Sequence, residues 1–155
     1  MKLKRVTIVF ICFIFVLSLY IASIPAQNEY TIRIESVSTT DLQGNPKTSF
    51  RRGEIVVVNV NISSLITYYA AQPQKYLLIV EAFTPEEEVI ALGFTSGQLA
   101  SGQSVVTGYG FKIPADAPTG IYTIEVYVWN GWPAQMGAQW RALAEPRSVE
   151  ITVTP

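Results

Sequence analysis

From Tyr30 onward the chain alternates apolar and polar residues with a period of two, in short runs separated by Gly, Pro, Asn and Asp. That is the signature of half-buried β-strands joined by turns. Tyr30–Val37 sets Ile32 and Ile34 on one face and Arg33 and Glu35 on the other. A turn-rich stretch, residues 39–48, follows with Asp41, Gly44, Asn45 and Pro46. Residues 54–62 put Val56, Val58, Val60 and Ile62 on one face, with Asn59 and Asn61 opposite. Residues 76–83 are apolar on both faces apart from Glu81, which predicts a central strand. A shorter strand is expected at 89–94 and another at 105–113. The strongest pattern is 120–129, where Tyr122, Ile124, Val126 and Val128 alternate with Thr123, Glu125 and Tyr127. Residues 148–154 close the series with Val149, Ile151 and Val153. The glycines at 93, 97, 102, 108 and 110 read as turns and strand bends. No helix of useful length is expected here, nor any internal repeat or low-complexity tract.

About seven short strands with turn signals between them predict a single all-β domain, an antiparallel β-sandwich. Two stretches resemble the immunoglobulin-like superfamily, in particular the disulfide-free CARDB-type and fibronectin III-like modules of archaeal and bacterial cell surfaces. The first is Phe50-Arg51-Arg52-Gly53-Glu54 leading into Val56–Val60. The second is Ile113-Pro114-Ala115-Asp116-Ala117-Pro118-Thr119-Gly120-Ile121-Tyr122 leading into Thr123–Val126. The resemblance implies a corner role for Tyr122, with its hydroxyl bonded back to nearby backbone. Ile124 stands where a true immunoglobulin carries its second cysteine, so the usual disulfide is missing. A fold of this kind hosts many unrelated roles.

The N-terminus is organised differently. Met1-Lys2-Leu3-Lys4-Arg5 is a basic head, residues 6–24 are an apolar run, and Pro25-Ala26 follows. This is the layout of an export signal with cleavage after Ala26. The run is also close to the length needed to span a bilayer as a hydrophobic helix, so a retained anchor is the rival reading. Either way the domain, residues 27–155, is expected outside the cell or on the outer face of its membrane. Lipid attachment is excluded because Cys12 lies in the middle of the apolar run.

Composition narrows the chemistry. The 155 residues include 49% hydrophobic and 15% charged residues and no histidine, and Cys12 is the single cysteine. Removing Lys2, Lys4 and Arg5 from the 11 basic groups leaves 8 against 12 acidic groups, a net charge of −4. Nucleic acid needs a basic footprint and is not an expected partner. Zinc sites draw on Cys and His, and triad acyl transfer uses His as its base. No cofactor or metal is expected, and no catalytic base–nucleophile pair can be placed. Glu86-Glu87-Glu88 reads as a solvated turn rather than a calcium site. The domain must be held by its core alone.

The remaining signal is aromatic. One connection, residues 64–75, carries Tyr68 and Tyr69. A second, residues 130–146, carries Trp132, Met136, Trp140 and Arg141. Long connections with clustered Trp and Tyr are often binding surfaces. The implied topology brings both to one end of the sandwich. Tyr68, Tyr69, Trp132, Trp140 and Arg141 are therefore the candidate contact residues. The alternative is that Trp132 and Trp140 fold back and plug the sandwich end. Trp129 extends the outward face beside Tyr127. Asn61-Ile62-Ser63 is an N-glycosylation sequon on an outward face. If residues 6–24 are retained, about six residues separate Ile24 from the first strand, a reach of roughly 20 Å that turns the aromatic end to the membrane.

The expectation is a non-catalytic cell-surface binding, adhesion or structural module whose partner is a protein or a glycan. The alternative is a self-associating subunit of a surface filament or layer. In that reading the segment from Tyr30 adds as a strand to a neighbour's sheet, and Leu77, Ile79 and Phe83 form an exposed apolar stripe. Burial in a sheet covered on both faces is the simpler reading of those three residues.

Overall fold

A computed structural model of the chain describes residues 30–67 and 72–155. The expected N-terminal hydrophobic helix, the boundary after Ala26, and Tyr68 and Tyr69 lie outside the described residues. Among those described, no helix is long and apolar enough to cross a membrane.

The alternating runs form strands β1 (Ile32–Thr40), β3 (Ile55–Ser64), β4 (Gln74–Phe83), β5 (Val89–Leu99), β6 (Ser104–Lys112), β7 (Gly120–Trp129) and β8 (Arg147–Thr154), with a short β2 (Ser49–Arg51). They make two sheets, one ordered β1-β3-β6 and one ordered β2-β8-β7-β4-β5. The expected all-β sandwich is present, but it is not purely antiparallel. Phe50 of β2 pairs with Val153 of β8 in parallel. Three residues are too few to show a period, so this strand had no alternation to reveal it.

The core lies between the sheets. Val56, Val58, Val60 and Ile62 of β3 face Leu78, Val80 and Ala82 of β4 and Tyr122, Ile124, Val126 and Val128 of β7, all essentially buried. Each Val, Leu or Ile among them contributes about 1.5–3 kcal/mol by leaving water. β4 sits between β5 and β7, the central position that its apolar pattern predicts. The end of the sandwich is closed by Leu143 and Ala144, both 1% exposed. Leu143 donates its N–H to the Val128 carbonyl at 2.7 Å, and its carbonyl accepts from the N–H groups of Thr31 and Ile32 at 3.0 and 2.9 Å. The tail of the long connection, rather than its tryptophans, is the plug.

β5 runs to Leu99, well beyond the expected end at Phe94. Gly93 and Gly97 are not turns there; they are interior strand positions on the inward face. A Cβ at Gly93 would sit 2.2 Å from the Tyr109 ring of the opposing sheet, and one at Gly97 would sit 2.6 Å from the Tyr76 hydroxyl. The two tyrosines fill the space a side chain would take. β5 is therefore inverted: small residues face inward, and Leu92 and Phe94 face out at 56% and 57% exposure.

Candidate functional site

The outer face of the five-stranded sheet is built by register. Ile79 of β4 lies opposite Phe94 on one side and Tyr127 on the other. In the next row Leu77 lies between Ser96 and Trp129, and in the row beyond Ile79 Glu81 lies between Leu92 and Glu125. Leu77 and Ile79 point away from the core, yet they are only 5% and 3% exposed. The exposed apolar stripe weighed above does not exist at these positions, because a layer of aromatic rings lies in their vicinity on this face. Phe83, at the far end of the same face, is half-buried.

In that layer Phe94 belongs to β5 and Tyr127 and Trp129 to β7 itself; two of the rings, Trp132 and Trp140, come from the connection after β7. Asn130 ties its base: its N–H donates to the Arg141 carbonyl at 3.1 Å, its Oδ1 accepts from the Arg141 N–H at 2.9 Å, and its Nδ2 donates to the Gln139 carbonyl at 2.7 Å. Trp129 also bridges to Ala142. Between these ties the chain forms a single helical turn, α1 (Pro133–Met136), and a 3-10 turn, Gly137–Gln139. Pro133 suits the first position of α1, where no N–H partner is needed. The closed loop brings its tryptophans back onto the sheet. Trp140 stands edge-on to Trp129 with ring centroids 5.3 Å apart. Trp132 stands edge-on to Trp129 at 6.5 Å and to Phe94 at 5.2 Å. Tyr127 packs on Trp129 at 5.9 Å. Phe94, Trp132, Trp129, Trp140 and Tyr127 thus form one contiguous cluster. Edge-on aromatic pairs contribute about 0.5–1.5 kcal/mol each beyond their buried area.

A cleft of about 420 Å³ opens beside this cluster, lined among others by Lys75, Phe94, Ser96, Gln98, Trp132 and Gln135. Its polar lining is mostly amide and hydroxyl. Farther along the same face Glu81 and Glu125 are direct cross-strand partners, side by side and both half-buried. Alternation alone does not pair them, because it leaves register open. The Tyr127 hydroxyl donates to Glu125. That bond, with burial and the charges of Glu125 and Glu81, pushes the phenol up to about 12. Among the described residues no three acidic or sulfur ligands come together to hold a metal ion.

The candidate residues are thus distributed as follows. Trp132 and Trp140 meet through Trp129 on the flank of the sheet, not at the tip of the sandwich. Arg141 is exposed, and its backbone locks the loop base. Asn61 lies half-buried on the outward face of β3, in the other sheet, between Ser36 and Val106, and Ser63 of the sequon donates its hydroxyl to Glu35. The fully buried Tyr122 donates its hydroxyl to the Pro118 carbonyl at 2.6 Å, and burial raises its phenol above the ordinary value. Phe94 and the cleft residues Ser96, Gln98 and Gln135 were not anticipated. The signal available was the inverted size pattern of β5, with Gly93, Thr95 and Gly97 on one face and Leu92 and Phe94 on the other.

No protein-family model and no curated protein matches the chain. Solved structures do. The C-terminal domain of wzt aligns over 83% of this chain and 76% of its own, with a TM-score of 0.61 at 12% identity. The alkylpurine DNA glycosylase AlkC of Pseudomonas fluorescens aligns over 81% of this chain but only 31% of its own, with a TM-score of 0.54 at 16% identity. A CARDB domain from Pyrococcus furiosus also aligns, at a TM-score of 0.48 and 12% identity. The likeness is one of fold alone. With a β1-β3-β6 sheet facing β8-β7-β4-β5, the architecture is that of an immunoglobulin-like β-sandwich.

Proposed function

We propose that this protein is an exported, non-catalytic binding module of the cell surface that works through the aromatic outer face of its five-stranded sheet and takes a glycan as ligand. The observation that carries the reading is the joining of Phe94, Trp132, Trp129 and Trp140 into one cluster beside a cleft whose polar lining is mostly amide and hydroxyl, with Lys75 the one charged side chain. Aromatic rings offer flat apolar contact to the C–H faces of a sugar ring, and Ser96, Gln98 and Gln135 offer donors and acceptors to its hydroxyls. A cleft of about 420 Å³ lies in the range of small-molecule sites. The basic head and apolar run at residues 1–24 support export. A platform on the flank of the sheet stays accessible whether or not residues 6–24 are retained as an anchor. Absence of histidine, and of a thiol beyond Cys12, supports binding without catalysis.

The test is titration of the chain with neutral oligosaccharides, read by tryptophan fluorescence and by calorimetry. Saturable binding is expected, with loss of affinity on Trp132→Ala and on Phe94→Ala and no loss on Val106→Ala, at an exposed position of the other sheet. Absence of binding across a panel of neutral glycans, or binding that both aromatic variants retain, overturns the reading.

A further inference from the structure

Four strands end the two sheets among the described residues: β1 and β6 in one, β2 and β5 in the other. Every end strand offers unpaired N–H and C=O groups, and proteins blunt such edges with charges, prolines or shortness. β1 carries Arg33 and Glu35, and β2 has three residues and carries Arg51. β6 ends in Lys112, and its outward positions include Gly108 and Gly110, which give a partner strand no side chain to pack on. β5 has none of these protections. It is 11 residues long, Val-Ile-Ala-Leu-Gly-Phe-Thr-Ser-Gly-Gln-Leu, with no charge and no proline. Its one register irregularity against β4 lies at the Phe83 end, so pairing from Ala91 to Leu99 is regular. Beside this bare edge stand two of the most exposed large apolar side chains of the domain, Leu92 and Phe94.

We infer that two copies of this chain pair antiparallel along β5, extending the five-stranded sheet across a two-fold axis into one continuous sheet. The edge is chemically self-complementary. An antiparallel two-fold match places each outward residue opposite another outward residue, and with the axis falling between Leu92 and Phe94 it sets Leu92 of one copy opposite Phe94 of its partner. With no charge on the strand, self-pairing sets no like charges against each other, which the cross-strand rules would penalise. A charged or basic peptide finds no counter-charge on this strand, and a second copy needs none. The domain as a whole carries a net charge of −4 beyond the basic head, and this uncharged strip is where two copies meet without bringing acidic groups together. Pairing also sets the two Phe94–Trp132 clusters side by side on one face, so that the clefts of the two copies line a single longer surface. The inference rests on the edge and not on what the cleft binds.

The experiment uses the full chain with Cys12→Ser, which leaves it free of cysteine. Single cysteines are introduced in turn at the non-glycine positions from Ile90 to Gln98, with Ser38→Cys on β1 and Val106→Cys on β6 as controls. Mild oxidation in the expressing cells is followed by non-reducing electrophoresis. The expected result is a species of twice the chain mass, concentrated at one or two neighbouring β5 positions that mark the two-fold axis and weak at both controls. In the otherwise native chain, Leu92→Lys with Ser96→Lys should shift the mass in solution from dimer to monomer while leaving the melting transition in place. Trp132→Ala should leave the β5 cross-link intact even though it removes glycan binding. Cross-linking at β5 no stronger than at the controls, or a chain that remains dimeric with both lysines present, overturns the inference.

Discussion

Trp132 stands edge-on to Phe94, with centroids 5.2 Å apart and ring planes at 84°. One ring belongs to the connection after β7 and the other to the outer face of the edge strand β5. The contact therefore closes a long loop onto a sheet and gives the cleft between them an aromatic wall. Trp129 supports it from beneath by touching both Trp132 and Trp140.

Trp129→Ala is expected to release both loop tryptophans at once. Loss of its half-buried indole should cost about 2–3 kcal/mol. Denaturant melting measures the loss. Limited proteolysis between Trp132 and Arg141 should accelerate in the same variant, because the ties through Asn130 remain but the ring packing is gone. Trp140→Ala should cost less, since Trp140 is 38% exposed.

The Tyr127 phenol is held up to about 12 by its bond to Glu125 and by burial, against about 10 in the unfolded chain. The folded state therefore favours the neutral phenol. The stabilisation is fully present below about pH 10 and is lost as pH rises through the folded value near 12. Spectroscopic titration should show Tyr127 ionising late, together with the buried Tyr122, whose phenol burial also raises. Tyr127→Phe should remove one tyrosine from that late step and leave stability flatter between those two pH values.

Glu81 and Glu125 face each other across β4 and β7. Like charges in direct cross-strand register are destabilising by roughly 0.2–1 kcal/mol. Glu81→Gln should therefore raise stability by an amount in that range at neutral pH. Glu81→Lys should do at least as well by placing opposite charges in register. The gain should shrink in high salt, and denaturant midpoints at two ionic strengths check both points.

Gly93→Ala places a methyl where the Tyr109 ring already lies. Overpacking of this kind costs about 1–3 kcal/mol. Tyr109→Ala should cost stability alone by leaving a cavity. The double variant should be less unstable than the sum of the two, because the added methyl then has room. A double-mutant cycle on melting data reads the coupling.

Much of the fold was legible in the sequence because a period of two fixes which residues share a face. Val56 through Ile62 and Tyr122 through Val128 declared their inward faces directly. β5 was legible only in part. Gly93 and Gly97 look like turn residues when read locally, and only the tyrosines of β4 and β6 explain why glycine is needed there. β2 was not legible, since three residues carry no period.

The site shows the same division. The sequence by itself determined that Trp129, Trp132 and Trp140 exist near a strand end, that Tyr127 and Glu125 point outward, and that His and Cys chemistry is absent from residues 30–155. It could not determine which outward residues become neighbours. Alternation fixes the face of each strand but not its register, and register is a long-range property set by how neighbouring strands pair. Tertiary structure alone placed Phe94 opposite Ile79, Glu81 opposite Glu125, and the loop tryptophans on the flank of the sheet. The physical reason lies in the loop: Leu143 and Ala144 close the core, Asn130 ties the loop base, and the indoles between them are left to pack on the outer face.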